Sequence, residues 1–533
     1  MPSLYDSIKV YENTSLTALY FENKTITYKK LIANVKKMIS YFQAHGIKQG
    51  DVVTVVLPNI PATIYSFYAL NAMGVIQNII HPLTSIQNVI ESMKNTNSKH
   101  AIILATTYQE NIELFKNSNL TFFFANPMYD NSFIMKNAFY LKYKKVKETD
   151  KLFLLDKFRK FKPCNDTFNK DSSLNSIYLH SGGTTGIPKI IALSDDAINN
   201  LASKVCNSII YEEIKGKSML AVLPTFHGFG LGMGIHAPLY NGASSALMIK
   251  FNSKKVIKWI NQNKVNLVIG VPLLYQKLMK DTDFEKAKLS NLQYCFIGGD
   301  NVPQSLILSF NSLMEKHGSN AKLLEGYGLT ETVTVCSVNT KKDFKLGSVG
   351  KPLNDITIKV LNENNQEIIN EIGEVYITGN TLMNGYLNDI NTTNSTLINI
   401  NGINYVKTGD LGYLDNDGFL FLKGRKKRMF KISGINVYPS EIEKIATDLD
   451  DILDASLEFY DMPSPHLILF VIKHKDSTKT KEEISKIIYE ILNEKVLKYS
   501  IPKDIIFIKK FPQTKVGKID HEKLKDFKKI GNE

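Results

Sequence analysis

The sequence predicts an α/β protein, with a large N-terminal region and a small α+β domain at the C-terminus. Three observations carry this. From Thr27 to Ile297, amphipathic helix patterns alternate with short apolar runs. After about Gly347 the texture changes to short alternating strands, and near Lys427 it changes again, to two helix patterns with short strands. Alternation of the first kind argues for parallel sheets covered by helices. A chain of 533 residues also exceeds what one hydrophobic core sustains, so two or more domains are expected.

Thr27 to Phe42 reads as a helix. Leu31, Ile32, Val35, Met38, Ile39 and Phe42 fall on one face, and Gly46 follows as a stop. Val52 to Leu57 is a buried strand and Pro61 to Met73 a second helix. Strands continue at Ala101–Leu104, Ser176–Leu179, Met219–Leu223, Leu267–Ile269 and Tyr294–Ile297. The stretch from about Tyr108 to Ser173 is rich in Lys, Phe and Asn, and its periodicity is too weak to assign. Later, Ile356–Val360 and Glu374–Ile377 alternate as strands, and "DNDG" at Asp415 to Gly418 is a hairpin turn. There is no internal repeat and no low-complexity linker.

Composition is that of a soluble globular protein, 43% hydrophobic and 22% charged. The net charge of +13 is compatible with nucleic acid, an anionic membrane surface or anionic small molecules. The lysines are scattered, and the densest cluster, Arg425-Lys426-Lys427-Arg428, lies inside a folded segment, so nucleic-acid binding is not expected. Cys164, Cys206, Cys295 and Cys336 are far apart with no C-x-x-C, which speaks against a zinc site or redox pair and fits a reducing, cytoplasmic setting. Met1 to Lys9 has no apolar signal-peptide core, and no uncharged apolar run approaches membrane-spanning length, so no integral membrane segment is expected.

The segment "YLHSGGTTGIPKIIALS", Tyr178 to Ser194, carries the first chemical signal. Gly182, Gly183 and Gly186 let backbone N–H groups approach an anion, Ser181, Thr184 and Thr185 add hydroxyls, and Lys189 adds a positive charge. A strand leads into it, a common setting for phosphate loops. It is not the Walker pattern: Pro188 precedes the lysine and Ile190 follows it.

Further segments follow in order: "LPTFHGFGLG" (Leu223–Gly232), "FIGGD" (Phe296–Asp300), "EGYGLTET" (Glu325–Thr332), "KTGDLGYLDNDGF" (Lys407–Phe419), "GRKKRMFKISGINVYPSEIE" (Gly424–Glu443) and "PQTKVGKID" (Pro512–Asp520). Together with the glycine-rich loop they resemble the adenylate-forming superfamily, which includes acyl-CoA synthetases, peptide-synthetase adenylation domains and luciferase-like enzymes. The resemblance runs from the Thr27 helix to Lys518.

The resemblance implies a large N-terminal domain of α/β subdomains plus a distorted β-barrel, residues 1–427, and a small mobile C-terminal domain, 428–533, with its hinge near Lys427. It implies ATP, Mg²⁺ and, as co-substrate, coenzyme A, with a carboxylic acid activated as an acyl-adenylate and then transferred to a thiol. The loop from Ser181 to Gly186 with Lys189 would hold the β- and γ-phosphates. Thr330 would contact the α-phosphate, and Glu331 with Thr184 would bind the metal. Lys518 would touch both the carboxylate and the α-phosphate. Gly298, Gly299, Asp300, Glu325, Gly326, Tyr327 and Gly328 would form the adenine slot, with Asp410 and Arg425 at the ribose. His227, Phe229, Gly230, Val271 and Pro272 would form the acyl pocket, where His227 either contacts the carboxylate or gates thiol entry. Lys431, Ser433 and Gly434 would line the pantetheine tunnel.

Such chemistry brings two anions together, so cations and oriented donors are its main requirement. The acyl-pocket residues are mostly small and apolar, with no partner for a substrate amine, which favours a fatty or aromatic acid. Two departures stand out. Ile190 and Ile191 follow Lys189 where the family usually has Gly and Val, and Arg428 replaces the usual acid beside the hinge, which puts any ion pair made by that acid in doubt. An acyl carrier protein as acceptor, and a non-catalytic nucleotide-binding protein of the same fold, are the alternatives.

Overall fold

The computed structural model describes the chain except residues 129, 131–134, 136, 140–145, 165–167, 182–188, 433–434, 461–465, 514–518 and 528–533. Two large sheets, each covered by helices, make most of the N-terminal region. The eight-stranded sheet has a parallel centre of Ile76–Ile79, Val52–Val56, His100–Leu104, Thr121–Ala125 and Leu152–Leu154. Asn175–His180 extends that parallel run, and Ile190–Ser194 pairs antiparallel with it as a hairpin. The nine-stranded sheet has parallel strands Ser244–Leu247, Ser218–Ala221, Leu267–Gly270, Tyr294–Ile297 and Leu323–Tyr327 at its heart. All five are fully buried except at the C-terminal end of the last, as apolar runs covered on both faces should be.

Local signals explain the boundaries. The first long helix is Tyr28–Ala44, and the Thr27 hydroxyl accepts from the Lys30 N–H as its N-cap. Gly46 takes φ +85°, and the Ile47 N–H returns to the Phe42 carbonyl, a Schellman-type stop. The strand expected to reach Leu223 stops at Ala221. Asn59 takes the Leu223 carbonyl (2.9 Å) and Pro224 follows, so the ladder cannot continue.

Where a distorted barrel is expected, an antiparallel sheet is built from Ile356–Leu361, Gly373–Gly379, Ile403–Leu414, Leu397–Ile400 and Leu420–Arg425. In "DNDG" the Gly418 N–H bonds the Asp415 carbonyl, and Gly418 has φ +80°. The stretch left unassigned in the sequence holds the helix Ile112–Asn117 and the strands Thr121–Ala125 and Leu152–Leu154, packed through Phe115, Phe122 and Phe124.

The small domain has the hairpin Phe430–Ile432/Ile435–Val437 and a three-stranded sheet, Ile452–Tyr460, His466–Lys473 and Asp504–Phe507. Helices Pro439–Thr447 and Lys481–Lys495 cover the sheet, with Ile442, Leu457, Leu469, Ile484 and Ile488 in a core of their own. It meets the large domain where the Gln304 N–H donates to Asp448 (2.9 Å) and the Ser440 hydroxyl donates to the Lys423 carbonyl. Among the described residues, no helix is long and apolar enough to cross a membrane.

Candidate active site

The parallel strands of the nine-stranded sheet end side by side, and the loops beyond their C-terminal ends open a cavity. That is where ligands bind in open α/β sheets. Its wall includes Phe296, Ile297, Gly298 and Gly299 from one strand end and Gly326, Tyr327 and Gly328 from the next. Its empty volume, counting the open mouth, is about 470 Å³. The glycines are needed for close backbone approach. A Cβ at Gly298 would sit 2.6 Å from the Gly326 carbonyl oxygen, and one at Gly328 only 1.3 Å from that of Thr334. Asp300 does not line this cavity. It is exposed and caps the Asn301 N–H.

At one end stands a carboxylate held in place from three directions. The Tyr327 hydroxyl donates to Asp410 Oδ2 at 2.5 Å, and Arg425 Nε meets Oδ1 at 2.9 Å. The Thr408 hydroxyl accepts from the Asp410 N–H (3.0 Å). Asp410 and Arg425 are register partners on Ile403–Leu414 and Leu420–Arg425, so the pairing is set by the hairpin that "DNDG" closes. Asp410 is 6% exposed while most of Arg425 remains in contact with solvent. Burial, and next the Asp410 charge, hold the Tyr327 phenol well above its ordinary value, so it stays a donor.

Glu325 shares that strand but has another environment. It is 7% exposed, its Oε2 is buried without a partner among the described residues, and burial pushes its pKa up to about 7 against the pull of Lys444. Glu325 is absent from the cavity wall.

In the eight-stranded sheet the strands Asn175–His180 and Ile190–Ser194 bring Ser181 and Lys189 together, the Ser181 N–H bonding the Lys189 carbonyl (2.9 Å). Gly182, Gly183, Thr184, Thr185 and Gly186 lie outside the described residues. Lys189 Nζ lies over the Tyr386 ring, 4.9 Å from its centroid, and the Tyr386 hydroxyl donates to Glu331 Oε1 at 2.8 Å. Thr330 and Glu331 open a single 3₁₀ turn, Thr330–Thr332. The next residue, Val333, is 2% exposed and has φ +65°, ψ −55°. The Thr334 N–H bonds the Thr332 carbonyl across it (2.9 Å), a γ-turn. A β-branched residue at positive φ costs on the order of 1–3 kcal/mol and persists only when its surroundings force it. Here the Val333 carbonyl abuts Gly228, where a Cβ would meet it at 2.0 Å. No sequence pattern announces this turn.

The rest of the cavity wall is apolar: Ile209, Phe229, Met233, Val335 and Val338, with Thr334 as its hydroxyl. Phe229 and Met233 come from a π-helical segment, Phe229–His236, a geometry common at functional sites. Of the expected acyl-pocket residues, Phe229 is in the wall. His227 is exposed and its ring lies tilted against Phe226, centroids 4.3 Å apart. Gly230 is buried against the Pro224 carbonyl. Val271 faces Gly299 at the rim, and Pro272 starts the helix Pro272–Met279. Ile209, Met233, Val335 and Val338 were missed, because no motif contains them.

Beyond the large domain, Lys431 is exposed on the hairpin strand, while Ser433, Gly434 and Lys518 lie outside the described residues. Around Lys427 the ion pairs divide. Lys426 Nζ reaches Glu374 of the large domain (2.8 Å), whereas Arg428 Nη2 reaches Glu443 of the small domain (2.7 Å), with Glu458 at 4.0 Å. Arg428 thus has its own partners in place of those its usual acidic counterpart would make.

No group of three or more His, Cys, Asp or Glu side chains that could hold a metal occurs among the described residues. Glu331 still suits magnesium: it is a hard oxygen donor, one oxygen oriented by Tyr386, beside a cation and a hydroxyl. Mg²⁺ is commonly held by one or two carboxylates together with substrate phosphates.

Residues 8–387 match the model of the AMP-binding enzyme family, and the chain belongs to that family. It is 26% identical over 526 residues to the long-chain-fatty-acid–CoA ligase of Bacillus subtilis, covering 95% of this chain and 91% of that one. Among solved structures it superposes on the anthranilate CoA ligase AuaEII in complex with anthranoyl-AMP (TM-score 0.84, 20% identity, 99% and 98% coverage). It also superposes on o-succinylbenzoate coenzyme A synthetase from Bacillus subtilis in complex with ATP and magnesium ion (TM-score 0.78, 22% identity, 99% and 100% coverage).

Proposed function

We propose that this protein is an acid–thiol ligase: it activates a carboxylic acid with ATP as an acyl-adenylate and then forms the coenzyme A thioester. The observation that carries the reading is a carboxylate, Asp410, locked by Tyr327 and Arg425 beside a cavity with an apolar wall, in a chain that also groups Lys189, Tyr386 and Glu331.

Asp410, with both oxygens already oriented, accepts hydrogen bonds from the two ribose hydroxyls, and Arg425 holds it in place. Tyr327 and the glycine strand ends bracket the adenine. Lys189 and the loop from Ser181 to Gly186 neutralise the leaving pyrophosphate, and Thr330 donates to the α-phosphate. Glu331 with Thr184 would hold Mg²⁺, which when bound neutralises phosphate charge and orients the phosphate oxygens. Lys518 brings its ammonium between substrate carboxylate and α-phosphate, and carboxylate oxygen attacks phosphorus as the bond to pyrophosphate breaks. The coenzyme A thiolate, entering past Lys431, Ser433 and Gly434, then attacks the acyl carbon and AMP leaves.

The acid is fatty or aromatic, since the chamber wall described above carries no charged side chain. Free coenzyme A is the acceptor, in keeping with relatives that are coenzyme A ligases. The setting is the cytoplasm, where such acids would enter fatty-acid metabolism. The chain divides into 1–427 and 428–533 about Lys427, because Lys426 is tied to the large domain and Arg428 to the small one. A rotation of the small domain between half-reactions is the hinge type of domain motion.

Pyrophosphate exchange across fatty and aryl acids, with loss of free thiol measured separately, tests the reading. Exchange with some acid, followed by thiol loss when coenzyme A is added, is expected. Exchange without thiol consumption would move the acceptor to a carrier protein, and no exchange with any acid would remove the enzymatic reading.

A further inference from the structure

Tyr386 belongs to none of the segments that drew attention in the sequence, yet it joins both charged groups at the phosphate end. It lies on a two-residue strand, Gly385–Tyr386, that pairs antiparallel with Ile190–Ser194, Tyr386 opposite Ile191. Its neighbours are pinned on each side. The Leu387 N–H bonds the Ile190 carbonyl (2.8 Å), the Asn384 N–H bonds that of Ala192 (2.9 Å), and the Met383 N–H bonds that of Glu331 itself (2.8 Å). The Tyr386 N–H donates to the Thr393 hydroxyl (2.9 Å). The ring is 8% exposed, so it has one position. From there its hydroxyl fixes Glu331 Oε1 and its face receives the Lys189 ammonium.

We propose that Tyr386 is the positioning residue of the phosphate–metal end. By holding one oxygen of Glu331 it turns the other toward the nucleotide, and by stacking under Lys189 it keeps that cation from pairing with Glu331. Lys189 and Glu331 touch different parts of the same side chain, so the ring keeps the two charges apart, and each stays available to a polyphosphate or its metal. An aromatic face attracts an exposed cation only weakly, so Lys189 is retained yet easily released to phosphate. The hydroxyl resembles the outer partners that orient metal-binding carboxylates in general, whose loss typically costs about 10–100-fold in metal affinity or activity. The inference rests on the proposed nucleotide site and adds to it a residue that sets its magnesium dependence.

The test is calorimetric binding of the non-cleavable analogue α,β-methylene-ATP, with magnesium and with EDTA, to the full-length protein. Tyr386→Phe removes only the hydroxyl and keeps the ring beneath Lys189. It is expected to lose about tenfold of the affinity gained from magnesium, with metal-free affinity unchanged. In a Glu331→Gln background the same substitution should have no further effect. Tyr386→Leu, which also removes the ring, should weaken metal-free binding as well, and Lys189→Met should abolish that extra loss. Equal weakening by Tyr386→Phe with and without magnesium, or full additivity with Glu331→Gln, would overturn the proposal. If wild type binds the analogue tightly with magnesium and Tyr386→Phe matches it, only this inference fails. If wild type binds none, the nucleotide reading fails with it. Should Tyr386→Phe lower the melting temperature, the cycle with Glu331→Gln still decides, because a general loosening would appear in both backgrounds.

Discussion

Asp410 and Arg425 face each other across one antiparallel strand pair, Nε to Oδ1 at 2.9 Å, while Tyr327 from a different sheet closes on the second oxygen at 2.5 Å. The carboxylate is therefore oriented before any nucleotide arrives. Asp410→Ala should raise the ATP KM about tenfold or more, since removing a charged hydrogen-bond acceptor costs about 1.5–3 kcal/mol. The kcat should change little, because the ribose contacts exist in ground and transition states alike. Tyr327→Phe should show the same signature, weakened to about 0.5–1.5 kcal/mol. An unchanged ATP KM in initial-rate measurements would place Asp410 outside the nucleotide site.

Arg428 should matter for the integrity of the small domain more than for chemistry. Its partner Glu443 is nearly buried and also accepts the Leu457 N–H (2.8 Å), so losing the guanidinium leaves a carboxylate short of a partner where helix and sheet meet. Arg428→Ala should loosen the segments around Glu443 and Leu457, visible as faster amide exchange there, with pyrophosphate exchange reduced far less. Unaltered exchange protection would show that the pair contributes nothing to that packing.

Glu325 gives a pH prediction with a definite sign. Burial raises its folded pKa to about 7, above the ordinary 4.5, so between these the folded state holds a proton that the unfolded state has lost. Stability from this group is full below about pH 4.5 and falls as pH rises toward 7, by roughly 3 kcal/mol at most. Glu325→Gln should flatten the melting temperature between pH 5 and 7.5 and raise it above wild type at the upper end. A parallel profile for the two proteins would mean that Glu325 is ionised throughout.

Val335 lies in the apolar wall. Val335→Phe should shrink the chamber, lowering kcat/KM for bulky acids about tenfold or more while short acids and the ATP KM are spared, since overpacking costs about 1–3 kcal/mol. A uniform loss across acids of all sizes would argue that the chamber is not the acyl site.

Much of this was legible in the sequence where one local rule had no competitor. Tyr294–Ile297 is an uninterrupted apolar run, Thr27 a hydroxyl before a periodic helix, and "DNDG" a turn that could hardly be anything else. The motif frames set Asp410 beside Arg425, and the hairpin register explains their meeting. The region from Tyr108 to Ser173 was not legible, because short strands buried by aromatic packing carry no period of their own. Tyr386 and the wall residues Ile209, Met233, Val335 and Val338 were missed for a related reason. They come from separate elements and become neighbours of the site only through sheet pairing and helix packing. Val333 takes its turn where its carbonyl abuts Gly228, a tertiary contact that no valine announces.

The charge assigned to Lys518 can be tested by separating the half-reactions. Lys518→Ala should lose pyrophosphate exchange by on the order of 100-fold or more, as expected when a preorganised charge at the transition state is removed. Thioester formation from supplied acyl-AMP should stay within a few-fold of wild type. Equal loss in both half-reactions would assign the lysine to the fold or to both steps.

The most direct measurement follows an oxygen atom. An acid that supports exchange is labelled with ¹⁸O in its carboxylate and converted completely with ATP, magnesium and coenzyme A, and the AMP is analysed by mass spectrometry. Attack of the carboxylate on the α-phosphorus, followed by thiol attack at the acyl carbon, leaves one ¹⁸O in AMP for each thioester formed. Unlabelled AMP, or ADP as the nucleotide product, would contradict an acyl-adenylate intermediate.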